Sequence, residues 1–118
     1  MMTIQIHHMT ALDLLRSLDD CSVDSVVSDP PSGINFMSKS WDRHDRYKAQ
    51  TDKGHDVSAQ LGALLRPWEV GFCAFITDVF SEALRVIKPG GHGLIWALPR
   101  TSDLTALGLR AAGWQIRD

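Results

Sequence analysis

The sequence predicts an α/β protein built on a parallel sheet of about four strands with flanking helices. Three observations point there. Short apolar or alternating runs recur between amphipathic segments, in the order β-α-β-loop-α-β-α-β. The segment from 67 to 88 carries apolar residues at spacings of three and four. Glycine and proline punctuate the joins at Pro30-Pro31, Pro89-Gly90-Gly91 and Gly113. Strands alternating with helices favour parallel pairing through right-handed crossovers.

Ile4-Gln5-Ile6-His7 alternates and predicts a short strand. Thr10 is placed to cap a helix over roughly 11–18, with Asp13 at the capping-box position. Leu12, Leu15 and Leu18 give that helix one apolar side. Asp19-Asp20-Cys21-Ser22 reads as a turn. Val23 to Ser28 reads as the next strand. Residues 32–67 are polar and poor in β-branched side chains. They predict a long loop, and a loop of that length in a small domain is either functional or mobile. It carries Lys39, Arg43, Arg46, Lys48 and Lys53, nearly balanced by Asp42, Asp45, Asp52 and Asp56. We read it as facing a substrate.

The clearest helix follows. Trp68, Phe72, Phe75, Ile76, Val79, Phe80, Ala83, Leu84 and Ile87 form one face, and Thr77, Asp78, Ser81, Glu82, Arg85 and Lys88 the other. Pro67 suits the first turn. Lys88 complements the dipole at the far end, and Pro89-Gly90-Gly91 is the stop. Gly93 to Leu98 predicts a strand buried on both faces. Thr101 or Ser102 caps a helix over roughly 103–112, Gly113 ends it, and Trp114-Gln115-Ile116-Arg117 begins a last strand.

A chain of 118 residues with 44% apolar content suits a single domain. A net charge of −2 excludes a global basic field, though not a local basic surface for nucleic acid. Cys21 and Cys73 lack metal-ligand spacing and read as thiols of a reducing compartment. His7, His8, His44, His55 and His92 also lack ligand spacing, so no metal is expected. No apolar run reaches the length of a membrane span. Met1-Met2-Thr3 leads straight into a strand-like run, without a signal peptide. A cytoplasmic protein with no membrane partner is the expectation.

Asp29-Pro30-Pro31-Ser32 carries the chemistry. Two prolines remove two backbone donors and fix two φ angles. The residue before a proline is held extended. The result is a stiff corner that presents one carboxylate and bare carbonyls, which suits an amino group with hydrogens to donate. Ligands of parallel α/β sheets bind beyond the carboxyl ends of strands, where this corner lies.

Asp29-Pro30-Pro31-Ser32-Gly33-Ile34, preceded by Ser22 to Ser28, resembles the catalytic motif of DNA amino-methyltransferases. Ala83 to Gly91 looks like the helix-turn-strand that follows the catalytic loop in that family. Phe36 to Asp42, with Gly91 to Thr101, resembles a phage-associated branch in which the catalytic motif comes first. The resemblance covers almost the whole chain. It implies a Rossmann-like methyltransferase sheet, partial here, with S-adenosylmethionine as cofactor and DNA as partner. It implies methylation of an exocyclic amine of a flipped-out base, adenine N6 in preference to cytosine N4, in a restriction-modification setting. Asp29, Pro30, Pro31 and Ser32 are the implied catalytic residues, with Thr10 and Asp29 toward the cofactor. Phe36 and Trp41 are candidates for base stacking, and Lys39, Arg43, Arg46 and Arg100 for DNA contact.

The chain departs from the family at three places. Ser32 stands where the family has an aromatic residue, and Met9-Thr10 where it has Gly-Asp. The glycine-rich Phe-x-Gly-x-Gly cofactor segment does not occur. Residues 1–118 therefore read as a single, incomplete catalytic domain. Self-association or a missing C-terminal half is expected to cover the sheet edge. The alternatives are a non-enzymatic fragment that binds DNA or assembles, and methylation of RNA or protein.

Overall fold

The computed structural model describes residues 1–48 and 64–117. Lys53, Asp52, Asp56 and His55, part of the expected loop, lie outside the described residues. Helix α1 spans Ala11–Ser17, and the Thr10 hydroxyl caps it by accepting the Asp13 N–H at 3.2 Å. Strand β1 is Val23–Ser28. Two 3-10 turns, Phe36–Ser38 and Ser40–Asp42, lead into a short helix α2, His44–Lys48. The first half of the expected loop is thus structured. Helix α3 is Pro67–Val86, strand β2 Ile87–Ile95 and helix α4 Ser102–Ala111.

The sheet corrects the main expectation. Among the described residues it has two parallel strands, β1 and β2, rather than about four, so it is far from a Rossmann-like sheet. The predicted strand at 4–7 forms no ladder, and Ile4 and Ile6 are 76% and 92% exposed. The predicted strand at 114–117 is also absent. Alternation marks a face that wants burial, but a strand exists only where a partner edge accepts its backbone. Trp114 finds another partner instead: its indole N–H donates to the Phe80 carbonyl at 2.8 Å.

β2 differs from expectation as well. The helix stops at Val86, and the Lys88 to Gly91 stretch bulges within the strand rather than ending the helix. Val23 pairs with Ile87, but Ser25 already pairs with His92. Gly90 at φ +81° makes this bend possible. From there the register is regular through Val26–Gly93, Val27–Leu94 and Ser28–Ile95. β2 ends at Ile95, not 98, and beyond Ile87 it is half-buried, on one face only. Val27, Leu94 and Trp96 lie on the outer face.

α3 organises the core. Phe72, Cys73, Ile76, Phe80 and Ala83 pack with Tyr47 from α2 and with Leu104 and Leu109 from α4. α4 comes close because residue 108 is glycine, where a Cβ would sit 2.7 Å from the Ile76 side chain. Arg85 ties α1 to α3 by donating to the Leu15 and Leu18 carbonyls at 2.8 and 3.0 Å. Among the described residues no helix is long and apolar enough to cross a membrane.

Candidate functional site at the end of strand β1

The site grows from the last pair of the ladder. The Trp96 N–H donates to the Ser28 carbonyl at 2.9 Å, which fixes the point where the chain leaves the sheet. Asp29 comes next and is exposed, and Pro30 and Pro31 are half-buried behind it. The corner is pinned at its far side. The Thr101 hydroxyl, at the start of α4, donates to the Ser32 carbonyl. Gly33 has φ +70° and lies under the Phe72 ring, where a Cβ would approach to 3.0 Å. A side chain there would meet both a strained backbone and an occupied space.

A fully buried carboxylate then gathers the loop. Asp42 accepts the N–H groups of Gly33, Ile34 and Phe36 at 2.6, 3.2 and 3.0 Å. It also accepts the Tyr47 hydroxyl at 3.0 Å. Backbone amides and a phenol thus supply the donors a buried carboxylate needs. Burial, and next the Asp42 charge, push the Tyr47 phenol well above its ordinary range, so it keeps the proton it donates. His44 adds a second anchor, bonding the Gly33 carbonyl through Nε2 at 3.0 Å while stacking on Trp68 at 3.8 Å. Asn35, Met37 and Ser38 are all left-handed, at φ 58°, 46° and 54°. Each such non-glycine residue costs on the order of 1–3 kcal/mol, which the surrounding bonds hold in place.

Two clefts meet at the corner, and Asp29, Pro30 and Pro31 line both. The first, of about 460 Å³, is bounded by Thr10, Phe75, Asp78 and Val79. The second, of about 510 Å³, is bounded by Ser32, Phe36, Trp41, Trp96 and Leu98. The Phe36 and Trp41 rings are 6.0 Å apart and tilted by 32°. Thr10 and Asp29 therefore share one cleft, and Ser32, Phe36 and Trp41 share the other with Asp29.

The basic residues are scattered. Arg46 reaches the first cleft, donates to the Trp41 carbonyl, and lies 5.2 Å over the Phe75 ring. Lys39 is exposed between the two 3-10 turns. Arg43 is exposed and paired with Asp45 at 2.6 Å. Arg100 lines a separate recess with His44, Arg66 and Trp68, and not the clefts that touch Asp29. Asp42, Tyr47, His44 and Trp96 were missed by the sequence reading. The one cue to the buried pair was a lone tyrosine in a polar stretch.

Cys73 plays no part in this chemistry. It is buried in the core, and burial, followed by the nearby charges of Asp103 and Glu69, pushes its thiol up to about 12.

Fold and site together define a small α/β protein with an exposed carboxylate on a proline-stiffened corner at a strand's carboxyl end. No family model, curated protein or solved structure matches the chain.

Proposed function

We propose that the chain is the catalytic portion of an S-adenosylmethionine-dependent methyltransferase acting on an exocyclic amine of a DNA base. Adenine N6 is preferred over cytosine N4. One observation carries the reading: a single carboxylate, Asp29, stands where two clefts of ligand size meet. Methyl transfer needs a donor and an acceptor on either side of one point.

The first cleft suits the cofactor in size and chemistry. Its volume of about 460 Å³ falls in the range of small-ligand sites. Its apolar walls, Phe75 and Val79, would pack against an adenosine, and the carboxylates of Asp29 and Asp78 complement a sulfonium cation. The Thr10 oxygen already accepts the Asp13 N–H, which leaves its hydrogen to donate to a bound group. When bound, S-adenosylmethionine supplies an electrophilic methyl group.

The chain's own residues prepare the amine. An exocyclic amine is a weak nucleophile because its lone pair is delocalised into the ring. The Asp29 carboxylate and the Pro30 carbonyl accept its two N–H groups and favour a pyramidal nitrogen. The same acceptors stabilise the positive charge that develops on nitrogen, an electrostatic effect that needs no reorganisation. Asp29 then takes the surplus proton, directly or through water. Phe36 and Trp41 hold the base, and Lys39, Arg43, Arg46 and Arg100 meet phosphates.

A second reading, a non-catalytic module that binds DNA or assembles, is favoured by the outer apolar face of Val27, Leu94 and Trp96. Self-association or a further segment would then cover that face. Calorimetric titration with S-adenosylmethionine separates the two: micromolar binding heat supports the enzyme, and its absence the module.

The direct test is labelled-methyl incorporation into DNA by the wild type and by Asp29→Ala. Loss of this contact is expected to lower turnover by about 100- to 1,000-fold. Folding stability should move by no more than about 0.5 kcal/mol, because the side chain is exposed. Undiminished turnover in the variant rejects the role.

A further inference from the structure

We infer that Trp96 is a further stacking platform for an amino-bearing nucleobase in the second cleft, which Phe36 and Trp41 also line. The inference rests on the placement of the base there given above. Trp96 directly follows β2 and is 68% exposed, so it is not part of the core. Its backbone is nevertheless fixed, because its N–H donates to the Ser28 carbonyl at 2.9 Å. The register runs Val27–Leu94 and Ser28–Ile95, and the next step brings Asp29 beside Trp96. Adjacent strands lie about 4.8 Å apart. Side chains alternate along a strand, and Val27 and Leu94 face outward, so Asp29 and Trp96 leave on the same outward side. A carboxylate and an indole thus stand side by side at the rim of the sheet.

That pairing selects a ligand. A planar ring lying on the indole presents its edge, and any amino group on that edge, to the neighbouring carboxylate. Ser32 brings no ring to the cleft, and the Phe36 and Trp41 rings, tilted by 32° to one another, wall it together with Trp96. Pro30, Pro31 and Leu98 supply apolar surface around it. Two cationic residues on the segment that carries Phe36 and Trp41 would meet the phosphates of a strand. Lys39 lies between the turns that carry Phe36 and Trp41, and Arg46 holds the Trp41 carbonyl. The chemistry described is that of a nucleobase within a nucleic acid strand.

The test uses the full chain and single-stranded oligonucleotides that carry one adenine or an abasic site at the same position, in deoxy and ribo forms. Affinity is read by fluorescence anisotropy. The wild type should prefer the adenine strand. Trp96→Ala should weaken that binding by about 5- to 150-fold, since base–aromatic stacking contributes on this scale. Affinity for the abasic strand should stay as it was, and Trp96→Phe should restore most of the loss. Comparable melting of the variants excludes a folding defect. In the wild type alone, 2-aminopurine at the adenine position should lose fluorescence on binding. Equal affinity for adenine and abasic strands, an unaffected Trp96→Ala variant, or unquenched 2-aminopurine overturns the inference. Preference for the deoxy or ribo strand identifies the nucleic acid. Base-dependent binding without methyl transfer leaves this inference standing and removes the methyltransferase reading; methyl transfer indifferent to Trp96→Ala does the reverse.

Discussion

Replacing Asp42 by alanine should unfasten the loop that walls the candidate site. The carboxylate accepts four donors, and two of those contacts, from the Gly33 N–H and the Tyr47 hydroxyl, are buried. The other two, from Ile34 and Phe36, are part-buried and can turn to water. A buried donor left without an acceptor costs about 1–3 kcal/mol. The Tyr47 hydroxyl can turn to the Trp41 carbonyl, already 3.3 Å away, so the orphaned Gly33 N–H sets the loss at about 1–3 kcal/mol. Domain stabilities are themselves about 5–15 kcal/mol, so the variant should stay folded with a smaller margin. Tyr47→Phe removes one donor and leaves the carboxylate with three backbone partners, a loss of about 0.5–1.5 kcal/mol. The double variant should be less destabilised than the sum of the two, because each single variant already loses the same Tyr47–Asp42 bond. Urea unfolding followed by tryptophan fluorescence measures all three, with unchanged m-values as the check on a common unfolded state. If Asp42→Ala costs less than about 1 kcal/mol, the buried carboxylate does not hold this loop.

Two further perturbations follow from the core. Alkaline pH should destabilise the fold. Cys73 and Tyr47 both have raised pKa values in the folded state. Each group therefore contributes stability that is complete below its unfolded pKa and is lost as pH rises above it. Between pH 9 and the Cys73 value of about 12, the unfolded thiol is ionised while the folded one keeps its proton. Unfolding free energy should fall by about 1.4 kcal/mol per pH unit from this group, with Tyr47 adding a similar slope above about pH 10. Cys73→Ala should flatten the first part of the profile and Tyr47→Phe the second; a profile unaltered by either substitution contradicts the burial argument. Gly108→Ala sets helix propensity against space. Alanine gains about 1 kcal/mol in a helix over glycine. The new methyl would lie 2.7 Å from the Ile76 side chain and 3.0 Å from the Cys73 carbonyl, where overpacking costs about 1–3 kcal/mol. It would also strain the Thr77 hydroxyl bond to the Gly108 carbonyl at 3.1 Å. A net loss of up to about 2 kcal/mol in thermal unfolding is expected, and a stabilised variant would show that α3 and α4 do not pack this closely.

Three of the helices, α1, α3 and α4, were legible in the chain because their determinants lie within a few residues, whereas α2 fell in the expected loop. Thr10 caps α1 through Asp13, Pro67 opens α3, and Gly113, at φ +102°, follows the end of α4. β1 was legible from its apolar run, and with it the place of Asp29 just past the strand. The sequence by itself thus determined those three helices, where β1 ends, and that a proline-stiffened carboxylate stands there. Tertiary structure alone decided how many strands the sheet has, because a ladder needs a partner edge that no local pattern supplies. Ile4 and Ile6 alternate as a strand should and still lie in solvent. It also decided that Asp42, one acid among several in a polar loop, is buried. That role depends on donors contributed by Gly33, Ile34, Phe36 and Tyr47, which meet only when the loop closes over α3. Trp96 joined Asp29 for the same reason: parallel register brings together residues that lie far apart along the chain.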